Sequence, residues 1–365
     1  MTFASVSPSN AVHVPQDLSV WLSHYALSLD QHEDQAEQVL SKLAQADLFS
    51  LGIDNTLHPA GRGTMADAIH AVIQVASYSF TAAFVFWAQR AFIECLLGAE
   101  QAVQQQARLS ALLRGERAGA VGLSNAIKFL GGVESLQIQA EQAGAGYVLT
   151  GQLPWVSNVP LSGYFIAAAV QMPDASQAVW LLEQGDKGLK RSENLDLIAL
   201  RGSNTAAFML EQSSVGTDRL LHSNLSQFIQ QVRPRFLALQ CSMAVGLALR
   251  CVQQIKQSKR ASTLQQEEAE QLQQRLQHIT HSLIGFAMQT GSEAPPAELF
   301  RLRIELSQVV DQASTLEQAA VGGEVYLLDR HPETLRRMRE ALFVPLITPS
   351  VAQLAMQLSK ADRKP

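Results

Sequence analysis

The sequence predicts an α–β–α chain: an N-terminal helical domain, a central β sandwich or barrel, and a C-terminal four-helix bundle. Apolar residues recur at helical spacing through the first and last parts of the 365-residue chain. Between them, short apolar or alternating runs are separated by Gly, Pro, Asn and Asp, which is strand-and-turn chemistry. The length also exceeds one ordinary domain. The boundaries are placed at 1–117, 118–220 and 221–365.

In the first segment Leu18, Trp21, Leu22, Tyr25 and Leu29 fall on one helical face, and EQVLSKLAQADLFSLGI continues the register. MADAIHAVIQVASYSFTAAFVFWAQRAFIECLLGAE is apolar around much of its circumference, as a helix or helix pair inside a bundle must be. The middle segment reads as strands in SLQIQAEQA, GYVLTGQLPWVSN, GYFIAAAVQM and AVWLLEQ, and TAAFMLEQSSV closes it. The helical signal then returns. FLALQCSMAVGLALRCVQQIKQ carries Gly246 where two helices can approach closely, LQQEEAEQLQQRLQHITHSLIGF is amphipathic, and GSEAPPAE is a turn before LFRLRIELSQVVDQASTLEQAAV. Long helices with short connections make an antiparallel bundle. No internal repeat or low-complexity tail is present.

Composition bounds the function. Hydrophobic residues make up 47% and charged residues 17%, which suits a well-buried soluble protein. A net charge of −5 offers no general attraction to nucleic-acid backbones. The apolar runs are broken before a membrane span is complete, so no membrane partner is expected. MTFASVSPSNAVHVPQD lacks a basic stretch followed by an apolar core, so the expected location is cytoplasmic. Cys95, Cys241 and Cys251 have no metal or CxxC spacing and read as buried small hydrophobes.

Four stretches, in this order, resemble the acyl-CoA dehydrogenase superfamily: LLRGERAGAVGLSN, GAGYVLTGQLPWVSN, LIALRGSNTAAFMLEQSSV and AVGGEVYLLDRHPETLRRMREALF. The resemblance runs from about Leu18 to Leu354. It implies FAD, with FMN as an alternative, in a cleft between the β domain and the bundle. It implies a small-molecule or acyl-thioester substrate, and a homodimer or homotetramer in which a neighbouring subunit completes the flavin site.

Residue by residue, the resemblance implies that Leu123 and Ser124 face the flavin pyrimidine edge. Trp155, Val156 and Ser157 line the isoalloxazine, the indole stacking and the hydroxyl donating toward N5. Read without the resemblance, Trp155 fills the β core and Ser157 begins a turn. Gly322 and Gly323 match a turn that lets backbone approach the dinucleotide, and equally an ordinary helix cap. Arg260 lies near a family arginine that reaches the flavin pyrophosphate across the dimer, and equally reads as a solvated surface arginine. Departures from the pattern are plain. Lys128 and Phe129 interrupt the small residues of the flavin loop before Gly131 and Gly132, and Val325 replaces a turn glycine.

The largest departure concerns the base. Abstraction of an α-proton needs a poised acceptor, and the family uses a carboxylate. Its usual position aligns with Thr348, within Thr348-Pro349-Ser350, and no Asp or Glu occurs between Glu340 and Asp362. The alternative position, on the first bundle helix before Gly246, is Phe236. Three readings follow: a flavin oxidoreductase of the monooxygenase type, a dehydrogenase with an unrecognised base, or a scaffold without turnover. His24, His58, His70 and His222 have no assigned place, and His278 and His281 fall on a bundle helix.

Overall fold

The computed structural model describes residues 13–289 and 296–362. The N-terminal part is helical: α1 (Gln16–Gln31), α2 (Ala36–Gln45), α3 (Met65–Tyr78), α4 (Phe80–Leu97) and α5 (Gln106–Leu113). Thr64 caps α3 through a reciprocal bond set with Asp67. Ser79 then caps α4 by accepting from the Ala82 N–H, so the long apolar stretch divides into two helices at one residue. Every residue of α4 from Phe80 to Leu96 is buried.

The strands follow as β1 (Ala118–Gly122), β2 (Ile138–Ala143), β3 (Gly146–Val156), β4 (Tyr164–Gln171), β5 (Gln177–Glu183), β6 (Leu189–Asn194), β7 (Ala206–Val215) and β8 (Leu220–His222). They form one mixed path, β6-β7-β3-β2-β4-β5-β8, with β1 parallel to β4. The two halves join through the single pair Gln139↔Gln171. They also face each other. Tyr147 meets Trp180 at 5.3 Å and Tyr164 meets Phe208 at 5.4 Å between ring centroids, in the manner of a sandwich.

The C-terminal part holds α7 (Leu225–Gln257), α8 (Thr263–Met288), α9 (Pro296–Val321), α10 (Pro332–Phe343) and α11 (Val351–Asp362), with α6 (Ser124–Leu130) set back in the sheet region. The expected turn GSEAPPAE lies mostly outside the described residues, as does most of the N-terminal stretch read for a leader. Gly246 is the contact point of α7 with α3. A Cβ there would stand 2.3 Å from the Ile73 carbonyl oxygen, so any side chain would push the two helices apart.

One sequence expectation is corrected. By length and composition α4 and α7 are apolar enough to cross a bilayer, yet 94% and 83% of those stretches are buried inside the protein. Their apolar surface is spent on packing within the chain. The three cysteines are free and buried, and burial pushes the Cys241 thiol up to about 11.

Arginines of α10 fasten the bundle to the N-terminal helices. Arg337 pairs with Glu317 of α9, Arg336 with Glu340 at 2.6 Å, and Arg339 with the fully buried Asp30 of α1 at 2.6 Å. Of these, Arg339–Asp30 ties α10 to the distant α1, Arg337–Glu317 ties it to α9, and Arg336–Glu340 lies within α10.

Candidate cofactor and substrate site

β1 ends at Gly122, where a Cβ would meet Leu153 of β3 at 3.1 Å. That close approach packs the end of β1, which Leu123–Ser124 follow, against Leu153 of β3, which Trp155–Ser157 follow. Pairing of β3 with β7 slips between Leu153 and Val156, opposite Phe208 and Ala206, so β3 holds one extra residue there. Pro154 sits in this bulge, where the ladder requires no N–H from it. The bulge turns Trp155 outward: its side chain is 60% exposed, while Val156 is 1% exposed and points into the core. The indole is therefore not a core residue, and Val156 has only its backbone to offer a ligand.

Ser157 is not solitary. Its Oγ lies 2.8 Å from Thr205 Oγ1, which lies 2.8 Å from Ser203 Oγ, a row of three hydroxyls. The segment RGSNT runs against VSN through two backbone bonds, Asn158 N–H to the Ser203 carbonyl and Val159 N–H to the Asn204 carbonyl. Asn158 and Asn204 both take positive φ, 63° and 48°, which asparagine tolerates and which allows this tight apposition.

Beneath them lies a buried polar hub. Asn158 Nδ2 donates to Gln89 Oε1 at 3.0 Å and to the Gly119 carbonyl at 2.9 Å. The same Gln89 oxygen accepts from the Gly119 N–H, and Gln89 Nε2 donates to the Leu112 and Arg117 carbonyls. One glutamine of α4 thus ties the helical part to β1 and to the end of β3.

The flavin-loop stretch is remodelled. SNAIKFL forms α6, closed by a Schellman turn in which Gly132 N–H bonds the Phe129 carbonyl and Val133 N–H bonds the Lys128 carbonyl. Gly132 takes φ 68° there, so the glycine pair caps a helix. Asn125 fixes α6 to the strand entry by donating to Glu134 Oε1 and accepting from the Gln137 N–H. Leu123 is buried and Ser124 is half-buried.

Beside α6 opens a pocket of about 70 Å³, whose lining includes Leu123, Arg233, Phe236, Phe300 and Pro349. The structure therefore brings together both sequence positions read for a base, and neither supplies one. Phe236 rests its ring 5.1 Å from Trp87, and Gln240 Nε2 holds the Thr348 carbonyl at 3.0 Å. No carboxylate lines this pocket among the described residues.

The remaining expected residues meet elsewhere. α9 ends in the turn Gly322–Tyr326, with Gly322 at φ 77°, and a Cβ on Gly322 or Gly323 would meet nothing within 4 Å. Arg260 lies beside this turn but is engaged: Nη1 reaches Glu324 Oε2 at 2.9 Å and Nη2 reaches Oε1 at 3.1 Å. With His331 at 3.2 Å, the hydrogen bonds from Arg260 and His331, together with the Arg260 charge, hold the Glu324 carboxyl down at about 2. The histidines take no part in the pocket around Arg233. His58 bonds Ser110, His222 accepts from the Asn224 N–H, and His278 and His281 are exposed on α8.

No family model matches the chain. Among curated proteins it is 30% identical over 132 residues to the mitochondrial isovaleryl-CoA dehydrogenase of Pongo abelii, covering 34% of this chain. The match spans about a third of that relative's length, 31%. Among solved structures, butyryl-CoA dehydrogenase from Megasphaera elsdenii superposes with a TM-score of 0.81 at 16% identity, over 98% of this chain and 100% of that one. A prolyl acyl carrier protein oxidase gives 0.78 at 15% identity, over 95% and 98%. These likenesses establish the fold, a helical part, a mixed sheet and a C-terminal helical part in that order.

Proposed function

We propose that the chain, whose fold is that of the acyl-CoA dehydrogenases, is an FAD-dependent oxidoreductase of that superfamily working without the family's carboxylate base. The exposed indole of Trp155 beside the Ser157–Thr205–Ser203 hydroxyls carries this reading. A large flat ring left in solvent at the end of a buried strand is an unfilled stacking surface. Leu123 and Ser124, just beyond β1, are the residues assigned to the pyrimidine edge in this reading. Gly322 and Gly323 present open backbone, since among the described residues no atom lies within 4 Å of where a Cβ would stand. The residues present thus fit the isoalloxazine half of FAD. When bound, the flavin supplies the hydride acceptor that no side chain here can be.

The protein's own contribution is placement. Trp155 sets the plane, Ser157 orients a donor with Thr205 as its relay, and the hub of Gln89 and Asn158 keeps the strand end rigid. The pocket of Leu123, Phe236 and Pro349 receives part of the acyl group of a small-molecule or acyl-thioester substrate. Nothing in its lining accepts a proton, so ordinary α,β-dehydrogenation of an acyl-CoA is not the reaction proposed. A second copy of the chain would cover Tyr326, Leu327 and Leu328, three consecutive exposed apolar residues beside the glycine turn, as a homodimer or homotetramer requires.

One observation favours a second reading, a catalytically silent scaffold. Arg260, expected to face a pyrophosphate, is neutralised by Glu324 within the same chain. Absorbance spectroscopy of the purified protein with added FAD separates the two. A bound flavin band that bleaches on reduction supports the oxidoreductase, and a colourless protein indifferent to FAD supports the scaffold.

A further inference from the structure

We propose that the pocket around Arg233 receives the carboxylate of a substrate whose acyl group bears a negative charge at its far end. This rests on the reading of that pocket as the substrate site. Ile229, Val232, Arg233, Phe236 and Leu237 all line it from α7, the spacing of a single helical stripe. The sequence therefore sets one guanidinium into a wall that is otherwise apolar.

Arg233 Cζ stands 5.9 Å from the Phe300 ring centroid, and among the described residues Arg233 makes no hydrogen bond or ion pair. Burial alone draws its guanidinium below the ordinary arginine value, with no acidic neighbour opposing. Each of the other buried arginines has at least one polar partner within the chain, although Arg90 and Arg303 keep buried nitrogens that bond nothing. Arg90 has Glu94 at 2.7 Å, Arg336 has Glu340, Arg337 has Glu317, and Arg303 has the Val344 carbonyl.

A guanidinium half-buried against apolar walls gives up part of its hydration with no bond from the chain in return. A carboxylate restores the loss through two parallel charge-assisted bonds, the geometry to which arginine's fork is suited. The pocket of about 70 Å³ compares with roughly 30 Å³ per water in the liquid, so it admits a small polar head and not a long alkyl tail. The field is also inverted relative to the resemblance. Where a carboxylate base would repel an anionic substrate, Phe236 and Pro349 stand neutral and Arg233 attracts.

The test compares two thioesters of N-acetylcysteamine, succinyl and butyryl, by calorimetry on the full-length protein, with any bound flavin followed separately by absorbance. A failed flavin assignment then leaves the carboxylate preference measurable, and the reverse. Wild type is expected to bind the succinyl thioester about tenfold or more tighter. Arg233→Met should erase the difference, and Arg233→Lys should keep part of it. Equal binding by wild type, or a preference that survives Arg233→Met, overturns the proposal. Inorganic phosphate is titrated alongside; Arg233-dependent phosphate binding without succinyl binding would assign the charge to a phosphate and overturn it too. Arg233→Met should also hold or raise the melting temperature. A fall of more than about 5 °C would mean that the arginine serves the fold, which contradicts the proposal.

Discussion

Two places that the resemblance assigns to the cofactor, the strand end at Trp155 and the helix-end turn Gly322–Tyr326, differ in what the chain has left free. At the strand end, the β3 bulge turns Trp155 outward, leaving it 60% exposed two residues before the Ser157 hydroxyl. At the helix end, the glycine turn is equally open, but its cation is already bound in two places by Glu324. Both ends carry residues that the family resemblance singles out. Only the first keeps its interacting surface available. Matching residue types therefore do not by themselves amount to a binding site; their partners within the chain decide.

The sharpest way to break this contrast is at Trp155. Trp155→Ala should weaken FAD binding at least about tenfold, since a ring of this size contributes both buried area and stacking, while the melting temperature stays near that of wild type because the indole packs on little. A flavin titration with parallel thermal melts reads both. The strand end can also be attacked from below. Asn158→Ala removes two buried bonds and leaves Gln89 Oε1 and the Gly119 carbonyl short of a donor, which should cost about 1–3 kcal/mol by denaturant unfolding.

The helix end is expected to respond in the opposite direction and less strongly. Glu324→Gln frees Arg260 and should tighten FAD binding by about threefold to tenfold, with little change in stability, because the pair is fully on the surface. Titration offers a weaker version of the same change. The Glu324 carboxyl sits at about 2 in the folded chain, below its unfolded value. Its contribution to stability is present above the ordinary carboxylate range and is lost as pH falls through that range toward 2. The unfolding free energy of wild type should therefore fall slightly more steeply than that of Glu324→Gln over this acid window.

Much of the architecture is legible in periodicity. Strands β2, β3, β4, β5 and β7 and the contact at Gly246 follow from local pattern or from one small residue, whereas the break at Ser79 and the strands β1, β6 and β8 do not. The site is less legible, for reasons that lie in distance and geometry. Arg260 and Glu324 are far apart in the chain, and no local signal announces their pairing. Gln89 looks like an interruption of an apolar helix, and only the fold reveals it as a four-way connector. Ser203 and Thr205 become partners of Ser157 because two asparagines accept positive φ. SNAIKFL reads as an altered loop because its helix is too short for periodicity to show. Arg233 passes as one more arginine until the wall around it is seen. The signal that was available, an arginine at apolar spacing with Ile229, Val232, Phe236 and Leu237, is the helical-stripe argument applied to a charged residue.

FAD titration of wild type and Trp155→Ala, followed by the visible absorbance of the flavin, tests the central claim most directly. The account predicts saturable binding with a perturbed flavin band in wild type and a loss of about tenfold or more in the variant. A band identical in the two proteins, or absent from both, would contradict it.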